Sequence, residues 1–111
     1  MTGVFRNAAL RASLVMTCAA GAAFTAGAHA GDAQAGRAKA VQCSACHGLD
    51  GMSKLPEAPN LAGQTEPYLI KALKDYRSGK RKDEMMNTMA KPLTDADIAN
   101  LAAFYNGLKP Q

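Results

Sequence analysis

The chain has 111 residues, with 13 Lys and Arg against 9 Asp and Glu, and is 48% hydrophobic but only 5% aromatic. That length allows one ordinary domain at most. The positive balance is modest and no basic stripe is interleaved with aromatics, which argues against a nucleic-acid partner.

Residues 1–30 come first. They hold Arg6 and Arg11 but no acidic residue, then the apolar run LVMTCAAGAAFTAG, and they close on Ala28-His29-Ala30. A basic start, an apolar middle and an A-x-A end are the parts of a secretory signal peptide. The run is too short and too rich in Gly and Ala to be a comfortable membrane span. Cleavage after Ala30 is expected, leaving a domain of residues 31–111 in the periplasm. Cys18 sits in the poor lipoprotein context VMTC and is expected to leave with the signal. Without Arg6 and Arg11, 11 basic residues face 9 acidic ones, so the working domain is closer to neutral than the whole chain. A domain this small buries a thin core and commonly needs a metal, a disulfide or a cofactor to hold it. Its aromatic side chains are only Tyr68, Tyr76, Phe104 and Tyr105.

AQAGRAKAVQCSACH reads as one helix over Ala33–His47, with Gly36 as a weak point unless a second helix crosses there. Gly48–Gln64 has no clear period and reads as a loop, long enough in so small a domain to imply that it wraps something. Thr65–Ser78 reads as a second helix, capped by Thr65, with Glu66 and Pro67 in the first turn and Gly79 as the stop. Its apolar positions, Tyr68, Leu69, Ala72, Leu73 and Tyr76, share one face. RSGKRKDEMMNTMAKP, Arg77–Pro92, reads as a charged and then methionine-rich connection. The last helix has the clearest signals: Thr94 as cap with Asp97 three residues on, a stripe of Ile98, Leu101, Ala102, Tyr105 and Leu108, and Gly107 and Pro110 as stop. No stretch offers a convincing strand, so the fold class is all-α.

The chemistry concentrates in CSACH. On a helical turn Cys43 and Cys46 share a face, and His47 is four residues from Cys43. Two such thiols can add across two vinyl groups of one haem while the imidazole reaches the iron, and this spacing is the attachment signature of c-type haem. Zinc would need four ligands, and the domain has only these two cysteines and one histidine. A thioredoxin-like dithiol would need a strand before the helix.

CSACHGLDG, APNLAGQTEPYLIKALKDYRSGKR and MMNTMAKPLTDADIANLAAFY together resemble the class I c-type cytochromes, and within them one haem domain of the cytochrome "c-four"-like group. These segments run in family order and cover nearly all of residues 33–109. The resemblance implies a small fold of three main helices and loops around one haem c, joined through Cys43 and Cys46. It also implies that the carbonyl of Pro59 accepts the ring N–H of His47, and that the sixth ligand is a methionine before the last helix. The family's spacing back from Leu93 selects Met86 over Met85 and Met89, while Met52 is an ordinary loop residue. With both axial positions filled by His47 and Met86, the implied protein is a carrier of single electrons between redox partners, possessing no catalytic site of its own. A haem subunit of a periplasmic oxidoreductase such as a flavocytochrome is the alternative. A peroxidase-like or ligand-binding haem protein would need the methionine bond to be weak. The basic residues Arg77, Lys80, Arg81 and Lys82 read first as a solvated loop and secondly as a docking patch for an acidic partner.

Overall fold

The computed structural model describes residues 30–111, together with Gly3 and Gly21. The body of the expected export segment, with Cys18, falls outside them. Five α-helices follow in order: α1 (Ala33–Ala40), α2 (Ser44–His47), α3 (Glu66–Ser78), α4 (Glu84–Ala90) and α5 (Asp95–Gly107), with a 3₁₀ turn at Val41–Cys43 between α1 and α2. Among the described residues there is no strand. No helix among them is long and apolar enough to cross a membrane.

The expected first helix is interrupted. The Ser44 hydroxyl donates to the Val41 carbonyl at 2.7 Å, and the Ser44 N–H turns to the same oxygen. A serine that bonds back to the preceding turn tightens and bends a helix, so α1 gives way to the 3₁₀ turn before Cys46 and His47. Asp32 caps α1, its carboxylate accepting from the N–H groups of Gln34 and Ala35.

α1 crosses α5 at Gly36. A Cβ built there would stand 1.9 Å from the Asn100 carbonyl oxygen and 2.9 Å from the Phe104 Cβ, so the two backbones touch where a side chain would intervene. The Asp32 N–H donates to Asn100 Oδ1 at 2.8 Å beside the crossing, and Lys39 pairs with Asp97 at 3.4 Å. α5 starts where its sequence says. Thr94 and Asp97 form a reciprocal capping box: the Asp97 N–H donates to Thr94 Oγ1 and the Thr94 N–H donates to Asp97 Oδ2, each at 3.0 Å. Those bonds hold the Asp97 carboxyl below the usual carboxylate range. Thr65 occupies the cap position of α3, but its side chain makes no capping bond there.

The core is small. Ala40 of α1, Leu69 of α3, Ala90 of α4, Leu93, and Ile98, Leu101, Ala102, Phe104 and Tyr105 of α5 form one cluster. Ile98 and Leu101 are its largest fully buried side chains. Burial of each is worth about 1.5–3 kcal/mol.

Two further departures concern the connection after α3. Residues Glu84–Ala90 are helical, because Asp83 caps them by accepting from the Met86 N–H at 2.8 Å. Arg77 is not part of a solvated basic run. It turns inward, donating through Nη1 to the Leu93 carbonyl at 3.0 Å and through Nη2 to Asp95 at 2.6 Å, and so ties the end of α3 to the start of α5.

Candidate functional site

CSACH, the loop after it, α3, α4 and α5 surround a cavity of about 560 Å³. Its wall includes Cys43, Cys46, His47 and Pro59, and also Met85, Met86 and Met89 of α4. The apolar face expected on α3 also points here. Tyr68, Leu69, Ala72, Leu73 and Tyr76 all line the cavity, yet only Leu69 is buried. The stripe read from periodicity therefore serves twice: Leu69, Leu73 and Tyr76 pack on the core, and all five residues face the cavity.

The loop is strongly constrained. Gly51 has φ +74°, and a Cβ there would stand 2.7 Å from the Ala62 nitrogen. Its carbonyl accepts from Leu61 and Ala62, at 2.8 and 3.1 Å. The Lys54 N–H donates to the Cys46 carbonyl at 2.8 Å, and Ser53 N–H to Asn60 Oδ1 at 2.7 Å. Gly63 N–H reaches the Tyr105 carbonyl at 2.9 Å, anchoring the far end of the loop on α5.

These ties bring the Pro59 carbonyl to 2.8 Å from His47 Nδ1. A carbonyl oxygen only accepts, so the proton of the neutral ring resides on Nδ1 and the lone pair on Nε2. His47 is only 7% exposed. A buried imidazole with a fixed tautomer and a free ring nitrogen on a cavity wall is suited to bind a metal held inside it.

Cys43 and Cys46 are free thiols, each half-buried. Burial pushes the Cys43 thiol above its ordinary value, while the Tyr105 hydroxyl beside it pulls the other way. That hydroxyl is itself shifted upward, first by burial and then by Cys43, and it makes no hydrogen bond of ordinary geometry. Among the described residues no three of His, Cys, Asp and Glu converge as a metal site.

Of the methionines, Met85 is 61% exposed, whereas Met86 and Met89 are half-buried. Met52 does not line the cavity. α4 is held by a residue that sequence reasoning passed over. Asn87 Nδ2 donates to the carbonyls of Tyr76 and Arg81, at 2.7 and 2.8 Å, and its Oδ1 accepts from the Asp83 N–H at 3.0 Å. One side chain thereby joins the end of α3, the following turn and the start of α4. Asn87→Ala is expected to lower stability by about 2 kcal/mol, read from urea midpoints, because three backbone groups lose their partner together. An unchanged midpoint would show that water replaces the amide.

The Cytochrome c family model matches residues 30–109. The chain belongs to the cytochrome c family. It is 49% identical over 80 residues to cytochrome c4 of Pseudomonas aeruginosa, covering 72% of this chain and 40% of that protein. The chain thus spans less than half the length of that relative. Cytochrome c-554(548) of Halomonas halodenitrificans is also 49% identical over 80 residues, and there the match covers 69% of this chain and 96% of the relative. The crystal structure of reduced recombinant cytochrome c4 from Pseudomonas stutzeri superposes with a TM-score of 0.68 at 44% identity, covering 72% of this chain and 47% of that one. The helical, strandless architecture of the described residues is the class I cytochrome c fold. A cytochrome c domain carries covalently bound haem c, and Cys43 and Cys46 fit its attachment motif. The cavity fits that group: it lies within the size range of cofactor pockets, its wall is largely apolar, and the attachment thiols and a metal-ready imidazole all line it.

Proposed function

We propose that this cytochrome carries single electrons between redox proteins of the periplasm, with its haem iron held between His47 and Met86. Bound haem supplies the iron that accepts and releases one electron. Cys43 and Cys46 would hold the haem covalently, Pro59 orients the imidazole through its carbonyl, and α4 would supply a thioether from the cavity wall. The observation that supports the reading is that His47, its ring held by the Pro59 carbonyl, and the methionines of α4 line one cavity. Two protein ligands leave the iron no open position for a substrate, and a histidine–methionine pair favours a raised reduction potential. The composition of residues 1–30 supports export and removal of that segment, so that the working protein begins at Gly31.

The test is the ferrous protein purified from a host that exports and loads it. Its spectrum is expected to stay unchanged under carbon monoxide, and its redox titration to follow a one-electron curve. Rapid carbon monoxide binding would overturn the carrier reading in favour of a ligand-binding haem protein. A flavin or metal subunit co-eluting with the protein from its native source would instead make it the haem subunit of an oxidoreductase.

A further inference from the structure

We propose that the Tyr105 hydroxyl donates a hydrogen bond to the Cys43 sulfur once that sulfur is joined to haem, and so fixes the orientation of this linkage. Tyr105 is only 3% exposed. Its hydroxyl, on a residue of the cavity wall, is buried and has no hydrogen-bond partner of ordinary geometry. A buried tyrosine O–H usually has one, because an unpaired hydroxyl loses its hydration and gains nothing in return.

The phenol has little freedom to find a partner elsewhere. The Tyr105 carbonyl accepts from the N–H groups of Gly63 and Leu108 at 2.9 and 3.2 Å, which ties down the main chain. The ring packs against Phe104, with centroids 5.1 Å apart. Among the polar groups that share the wall, His47 gives its Nδ1 proton to Pro59, and the Asp83 carboxylate caps α4. Apart from burial, Cys43 is the neighbour that acts on the phenol. The 3₁₀ turn Val41–Cys43 brings that cysteine to the wall, where it packs against the core cluster to which Tyr105 belongs.

Attachment decides which way the bond runs. A free thiol can donate to the phenol oxygen or accept from its O–H. When the Cys43 thiol adds across a vinyl group, an S–C bond forms to one vinyl carbon, the thiol hydrogen goes to the other, and the π bond between them is lost. Nothing is oxidised or reduced. The sulfur keeps its lone pairs without a hydrogen, so it only accepts, as the methionine thioether does. Tyr105 is then the donor. Both groups turn about single bonds, the hydroxyl about C–O and the sulfur about Cα–Cβ, and side-chain rotation aligns them. Tyr105 is thus a positioning residue for one of the two linkages.

The proposal rests on haem being joined through Cys43, and the mass of the unaltered protein with its haem tests that point separately. In the reduced holoprotein the Tyr105 hydroxyl proton is expected as a slowly exchanging NMR resonance. It is identified by its contacts with the Tyr105 ring protons and should lie close to the Cys43 β protons. Tyr105→Phe removes one oxygen and keeps the ring. That change should delete the resonance and lower the melting temperature of the holoprotein by about 2–4 °C, the shift a weak hydrogen bond gives in a domain of this size. A hydroxyl that stays unpaired in the holoprotein costs stability, so its removal would leave the melt unchanged or raise it. Such a melt would overturn the proposal, as would a hydroxyl proton that exchanges rapidly or lies against another acceptor. Should Tyr105→Phe not accumulate with haem, the resonance in the unaltered protein carries the test.

Discussion

Met86→Ala is expected to abolish the iron–methionine charge-transfer band of the oxidised protein and to open the ferrous iron to carbon monoxide. The same change at Met85 or Met89 should leave the band in place. Met85 is largely exposed, which makes it the weakest candidate on geometry. Met86 and Met89 are both half-buried on the cavity wall, three residues apart on one face of α4, so burial alone does not separate them. The family's spacing from Leu93 is what selects Met86. Loss of the thioether should also lower the reduction potential, by roughly 0.1–0.3 V within the ~0.8 V that axial ligands span. A band lost in Met89→Ala and retained in Met86→Ala would move the ligand one turn along the helix.

Gly36→Ala should cost about 2–3 kcal/mol and lower the melting temperature of the holoprotein by roughly 10–20 °C. Alanine gains about 1 kcal/mol over glycine in helix propensity, so an isolated α1 would be improved. The crossing reverses that sign. The new methyl would stand 1.9 Å from the Asn100 carbonyl, where contacts under 3.0 Å are essentially never found, and the obstacle is backbone that no rotamer can clear. α1 and α5 must move apart, loosening Ala40, Leu101 and Phe104 together. A melt equal to the unaltered protein would mean that the helices do not cross at this point.

Local signals in the sequence marked the features whose causes are local. CSACH, the Thr94–Asp97 box and the break at Gly79 each depend on residues within a few positions, and all lie where they were read. Gly36 was legible as a weak point of the helix unless a second helix crosses there, and α5 does. α4 was missed because a methionine-rich connection looks irregular, although Asp83 followed by Glu84 is a fair helix start. What secures α4 is Asn87, whose partners Tyr76 and Arg81 belong to the preceding helix and turn. Arg77 was misread for a similar reason. Charge in a run of charges looks solvated, and its partners Leu93 and Asp95 stand 16 and 18 residues away. The face of α3 was found but its role was not: periodicity reports an apolar face without saying whether protein or cofactor covers it.

The bond from His47 ends on a main-chain oxygen. That oxygen is present whatever residue occupies position 59, and it neither ionises nor rotates away from its peptide plane. The acceptor of the imidazole N–H is thus insulated both from most single substitutions and from any titration of its own. A side-chain acceptor would offer neither protection. Sensitivity is transferred to the residues that bend the loop into place, so damage to this end of the site should arise at Gly51 and its Leu61 and Ala62 contacts more readily than at Pro59 itself.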